Sequence, residues 1–293
     1  MSSQTDSNST KDIWISFVFA LLIGSLFIQK PFTLDDPMLL TVAQHAQTQP
    51  LRPYDLMIFN LDDYPVHASR IQSSPLFCWM LAIWTKIGGF GEAWTHIPGI
   101  FCLALTAAGA TCLARSRNIR PLWIGLATAA SPLLLPSTNV MGDVPFAAAA
   151  IWTIVLTEKA LKTDRKYFFI VASFMAAITF GIKYAGAIII LGTAAQIFFE
   201  KSYRWALVFL LPSFLFFLSW SLYSNWAHGS SHFVDAVQNL DHYRSTSAQE
   251  FVLEIARNSG SLINILGGAG MFIAAAYAST QNRLRLPALA VGI

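Results

Sequence analysis

Charged side chains are scarce in this chain: Asp, Glu, Lys and Arg make up 12% of its 293 residues. A soluble domain carries about 25%, so a surface fully exposed to water is excluded. Cysteine is equally sparse. Cys78, Cys102 and Cys112 stand far apart in apolar surroundings, which leaves no CxxC pair for zinc and no paired disulfide framework. They read as small buried hydrophobes. No HExxH or similar ligand spacing is present, so no metal centre or cofactor is assigned; Asp62 and Asp63 could still join Asp35 or Asp143 around a divalent cation. The formal net charge of +3 says little by itself, and no nucleic-acid partner is expected. The first apolar run has no small-residue cleavage site behind it, so it reads as a retained helix rather than a signal peptide.

What the chain has in quantity is hydrophobic sequence, 55% of its residues. Long apolar runs alternate with short charged clusters, the pattern of an all-α, polytopic membrane protein. Spans are expected over 13–29, 97–113, 121–137, 144–161, 167–182, 184–199, 205–226 and 260–279. A ninth begins at Leu286 and reaches Ile293 after eight residues, too few to cross a bilayer, so the expectation is about 8–9 transmembrane helices in a chain incomplete at its C-terminus. Residues 1–12 form a cytoplasmic tail and 13–293 a single transmembrane domain.

One segment, "PLFCWMLAIWTKIGGFG" from Pro75 to Gly91, could span or lie flat. Positive residues favour the cytoplasmic side, and this decides the matter. With 75–91 flat, the cytoplasmic pieces (the N-terminus, 114–120, 158–166, 200–204 and 280–286) hold 12 Lys/Arg against 5 Asp/Glu, and the remainder 7 against 11. The segment therefore reads as an interfacial helix with Trp79 and Trp84 at headgroup level. Two long outer loops result, 30–96 and 227–259, with a short turn over 137–143 and a tight one at Lys183. Long loops with no low-complexity character are usually functional.

In the first outer loop, "TLDDP" sets Asp36 before Pro37, a good helix start. Met38, Leu39, Val42, Ala43 and Ala46 follow on one face, an amphipathic helix lying on the membrane. A cap uses one carboxylate, yet Asp35 and Asp36 stand side by side. A second carboxylate at a low-dielectric boundary resists ionisation, which suits a general base acting on a hydroxyl. Asp143 stands alone in the turn "PSTNVMGDVP", either as a helix cap or as a functional acid at a membrane helix end. Lys183, in "GIKYAG", is a positive charge on the outer side against the trend. It either snorkels to the interface or neutralises a lipid phosphate, with Tyr184 beside it. The second long loop carries His228, His232, His242, Tyr243 and Arg244, where an interfacial helix is expected.

Taken in order, the first helix, "DDP", "PLRPYD", "SSPLFCWMLAIWTKIGGFGEAWTHI", "PSTNVMGDVP" and "GIKYAG" resemble the GT-C glycosyltransferases, in the branch of the protein mannosyltransferases and aminoarabinose transferases. The resemblance covers residues 13 to about 230. It implies a GT-C-like fold with interfacial helices in the first and fourth outer loops. The implied activity is glycosyl transfer from a polyprenyl-phosphate sugar to a hydroxyl acceptor on protein, lipid or glycan, at the outer face of the plasma (bacterial inner) membrane. By position it implies Asp35, Asp36 and Asp143 as the catalytic acids, and Lys183 and Tyr184 near the donor phosphate. One departure matters. Relatives frequently carry a Lys before the prolines of the interfacial helix, whereas Ser73 and Ser74 stand here, so either Arg70 takes over the phosphate contact or the donor site is weakened. A transporter would show inverted repeats and midplane polar residues, and neither is found; a non-catalytic or truncated transferase paralogue is the other alternative.

Overall fold

The computed structural model describes residues 3–33, 35–59, 65–70 and 74–235. Nine helices and one short hairpin are described there. The expected spans at 260–279 and from 286, and the loop beyond 235, lie outside the described residues.

Helix α1 (Ser3–Ser25) packs on α4 (Glu92–Ser116) and α5 (Pro121–Ala129). Small residues make the approach close, as is usual between membrane helices: Ala20, Ala104, Ala107 and Ala129 are buried together around Leu103 and Val144. A polar contact lies in the same joint, where Thr111 Oγ1 donates to Ser16 Oγ at 2.9 Å. Gly125 passes over that pair, and a Cβ there would sit 2.1 Å from Thr111 Oγ1. Helix α6 (Asp143–Thr163) runs along α4, with Trp152 Nε1 donating to the Leu105 carbonyl at 3.0 Å. Helices α7 (Lys166–Ile182), α8 (Gly186–Glu200) and α9 (Tyr203–His228) share a second core of Phe169, Ala172, Ala176, Ile197 and Phe209.

Among the described residues three helices, α4, α6 and α9, are long and apolar enough to cross a membrane. The expected span 121–137 is a correction. Helix α5 ends at Ala129, and turns occupy 132–137. Pro132 has no N–H to donate and disfavours helical backbone at Ser131. The Ser131 hydroxyl instead accepts from the N–H groups of Leu133 and Leu134 at 3.3 and 3.4 Å. Nine residues rise only about 14 Å.

In the first loop, α2 (Asp36–Thr48) and α3 (Pro75–Gly88) pack against each other. Leu39, Leu40, Val42, Ala43 and Ala46 meet Phe77, Cys78, Leu81 and Ala82 in one buried cluster, and Gln47 Nε2 donates to Thr85 Oγ1 at 2.9 Å. The apolar face of α2, expected to lie open on lipid, is thus covered by protein. Between the two helices, β1 (Met57–Phe59) pairs antiparallel with β2 (Pro65–His67), a hairpin absent from the sequence expectation. Helix α3 joins α4 through two tryptophans. Trp84 and Trp94 stack at 4.5 Å, and each indole N–H donates to the other's carbonyl, at 2.8 and 3.0 Å.

The basic segments at 114–120, 158–166 and 200–204 meet at one end of the bundle. Glu158 is buried there, bonded to Arg117 and accepting from Ser116 Oγ at 2.8 Å. They border a cleft of about 260 Å3 with Lys162, Gln196 and Glu200. Lys201 pairs with Asp164 at 2.6 Å nearby. Helix α6 carries Asp143 to the opposite end.

Candidate active site

At that opposite end, three side chains following α1 hold the segment before α6. Lys30 Nζ donates to the Pro136 carbonyl at 2.6 Å, and Asn139 Nδ2 donates to Thr33 Oγ1 at 2.7 Å. The Val140 N–H donates to Asp36 Oδ1 at 3.0 Å. The second oxygen of Asp36 accepts from Thr33, from its N–H at 2.7 Å and its hydroxyl at 3.0 Å. Asp36 is fully buried, and its lone pairs are matched to donors as a buried carboxylate requires. Burial pulls the Lys30 ammonium below its ordinary value, while the nearby Asp36 carboxylate opposes that shift. Helix α4 also comes close to this segment: a Cβ on Gly99 would sit 2.9 Å from the Thr138 carbonyl oxygen.

Asp35 and Asp36, adjacent in sequence, take different places. Asp36 is the first residue of α2, with its carboxylate turned back to Thr33. Asp35 occupies the N-cap position, half-buried, and makes no capping bond. Thr33 stands three residues before Asp36, close enough for both its N–H and its hydroxyl to donate to the Asp36 carboxylate.

Three residues beyond Val140, Asp143 opens α6 and meets Lys183 at the end of α7, with Nζ donating to Oδ1 at 2.6 Å. The side chains are 43% and 29% exposed, so water screens the pair and it adds only about 0–1 kcal/mol to stability. The Lys183 chain runs past α3, since its Cε and the Phe77 ring both border Gly142. Tyr184 follows in the turn to α8. Its hydroxyl shares a 2.7 Å hydrogen bond with His232 Nδ1. The His232 ring stacks on Tyr54 at 4.2 Å, and the His232 backbone N–H donates to Ser224 Oγ at 2.9 Å. Burial pushes the Tyr184 phenol well up, opposed in part by the neighbouring Trp220 and Ser74.

The structure thus brings Asp143 and Lys183 into contact and ties Asp36 to the same segment. Arg70 ends a short 3-10 turn, Ala68–Arg70, and its side chain is outside the described residues, as are Asp62, Asp63 and Ser73. Among the described residues no group of three or more His, Cys, Asp or Glu could hold a metal ion. Of "GEAWTHI", Glu92 begins α4 and His96 is buried, sharing a 3.1 Å hydrogen bond with the Ile28 carbonyl through Nδ1.

Residues 72–226, more than half of the chain, match the family model of the dolichyl-phosphate-mannose-protein mannosyltransferases. The chain belongs to that family. No curated protein matches it. At family level it is therefore a membrane glycosyltransferase of mannosyltransferase type. The match to the mannosyltransferase family runs from the approach to α3 nearly to the end of α9, so it takes in Asp143, Lys183 and Tyr184 and begins after Asp35 and Asp36.

Proposed function

We propose that this mannosyltransferase-family chain moves a sugar from a polyprenyl-phosphate donor to a hydroxyl acceptor on protein, lipid or glycan. The reaction would take place at the outer, periplasmic or exterior, face of the plasma membrane. The observation that carries this reading is the Asp143–Lys183 contact at 2.6 Å, a half-exposed acid and ammonium at the bundle end opposite the basic clusters.

In this reading the acceptor hydroxyl attacks the anomeric carbon with inversion. A C–O bond forms to the acceptor as the bond from that carbon to the phosphate oxygen breaks, and the polyprenyl phosphate leaves with the electron pair. Asp35, whose carboxylate is not engaged as a cap, takes the acceptor proton. Lys183 neutralises the departing phosphate, with Tyr184 next to it in the chain and Arg70 as the second candidate cation, and Asp143 orients the sugar once the ammonium turns to the phosphate. Asp36, already bonded to Thr33 and Val140, acts as the positioning residue that holds the Asp143 segment against α2.

The test is transfer from a radiolabelled polyprenyl-phosphate sugar by the protein in proteoliposomes, with Asp35→Asn alongside. Wild-type transfer abolished by Asp35→Asn supports the reading. Normal transfer by the variant removes Asp35 from its role, and solute flux without transfer would replace the enzyme with a transporter.

A further inference from the structure

The bundle end opposite Asp143 carries a charge pattern that the proposed reaction leaves unused. Segments 114–120, 158–166 and 200–204 hold nine Lys and Arg against three acids. They border the cleft of about 260 Å3 between the ends of α4, α6 and α8. A drug-sized pocket has roughly 300–1,000 Å3, so this one suits a small polar group. Helices α4 and α6 are long and apolar enough to cross a membrane, and both end beside the cleft. That is the level of lipid headgroups.

The two walls of the cleft offer different chemistry. On one, Glu158 is buried and engaged by Arg117 and by Ser116 Oγ, which fixes the guanidinium. Lys162 is held more loosely. Its ammonium lies 3.8 Å from Glu158 Oε2 and 3.4 Å from the Ser116 carbonyl oxygen, and its side chain is 57% exposed. An ammonium has three hydrogens, so Lys162 can turn one toward an anion in the cleft. On the other wall stands Glu200, the last residue of α8, exposed and accepting from the Gln196 amide at 2.7 Å. A carboxylate at a helix C-terminus works against the macrodipole, so a cation or a strong donor beside it is favoured. It can accept about four hydrogen bonds, more than one amide supplies.

A basic pocket between membrane helices is a place where lipid headgroups bind. We propose that this cleft binds a phospholipid headgroup, with Lys162, backed by Arg117, holding the phosphodiester and Glu200 accepting from a hydroxyl or ammonium at the headgroup's far end. The surplus of positive charge ranks phosphatidylglycerol, which is anionic overall, ahead of phosphatidylethanolamine. Phosphatidylcholine comes last, because its quaternary nitrogen has no hydrogen to donate. The site is separate from the Asp143–Lys183 end, and its occupancy does not depend on sugar transfer.

The experiment is native mass spectrometry of the full chain in detergent, offered the three phospholipids at equal concentration. The wild type should retain phosphatidylglycerol about tenfold better than phosphatidylcholine, the worth of one charge-assisted hydrogen bond. Lys162→Gln should weaken retention of all three lipids, and Lys162→Arg should restore it. Glu200→Ala should leave phosphatidylcholine unchanged and bring the other two down to it. Lys201→Gln is the control, since Lys201 pairs with Asp164 and does not line the cleft; it should keep the wild-type pattern. Both cleft residues are exposed, so thermal midpoints of the delipidated variants should match the wild type. A wild type without lipid preference overturns the proposal, as do Lys162→Gln and Glu200→Ala proteins that retain lipid as the wild type does. A loss in Lys201→Gln equal to that in Lys162→Gln overturns it too, by making the attraction a diffuse surface charge. Displacement of the lipid by an equal concentration of soluble glycerophosphoglycerol would overturn the membrane as the ligand's source.

Discussion

The Asp36 carboxylate and the Val140 N–H meet at 3.0 Å across 104 residues of sequence. That bond, with Thr33 on the other oxygen, fastens the start of α2 to the segment that presents Asp143. Removing the carboxylate leaves the Val140 and Thr33 donors buried without partners. Asp36→Ala should therefore lower stability by about 1–3 kcal/mol, read as a fall in thermal midpoint in detergent, and sugar transfer should fall with it. Asp36→Asn keeps one acceptor oxygen and should lose less.

The Asp143–Lys183 pair predicts the reverse balance. Both side chains are part-exposed, so Lys183→Met and Asp143→Asn should each change stability by no more than about 1 kcal/mol. Transfer should fall by at least about a hundredfold for either one if the ammonium serves the leaving phosphate. Exchanging the two residues restores the ion pair and should not restore turnover. Recovery of activity in the exchanged protein would make the pair structural.

The tryptophan joint between α3 and α4 is tight enough to test with a single methyl. A Cβ on Gly88 would lie 2.1 Å from the Trp94 ring, so Gly88→Ala must displace it. The expected cost is about 1–3 kcal/mol, as for other overpacked sites, with a change in tryptophan fluorescence as the stack of Trp84 on Trp94 opens. An unchanged spectrum and midpoint would disprove the clamp.

Tyr54 gives a pH dependence. Its phenol is 1% exposed, and burial pushes it well above the ordinary value of 10.0. The unfolded chain releases this proton first as pH rises, so the folded state binds more protons above that value. Stability is complete below about pH 10 and declines beyond it. Denaturant midpoints measured upward from pH 9 should fall less steeply in Tyr54→Phe than in the wild type.

What the sequence disclosed follows from the range of the interactions concerned. The start of α2 was readable because Asp36-Pro37 is a local signal, and its apolar stripe from Leu39 to Ala46 is periodic. The partner of that stripe was not, since α3 lies more than thirty residues on and an apolar face accepts lipid or protein equally. Hydropathy alone extended α5 through Ser131-Pro132, where backbone chemistry ends it. Asp143 and Lys183 each stood out as isolated charges at helix ends, but nothing in their spacing of 40 residues marks them as partners.

Helices α7 and α8, of 17 and 15 residues, rise only about 26 and 22 Å. A hydrocarbon core is about 30 Å thick, so if this pair crosses the membrane as the sequence expectation has it, lipid around it would have to thin. On the proposed topology the turn holding Lys183 would then lie in a dimple of the outer leaflet. A phosphate carried on a long isoprenoid would have only to sink a few ångströms, with its tail still in the bilayer, to reach the ammonium.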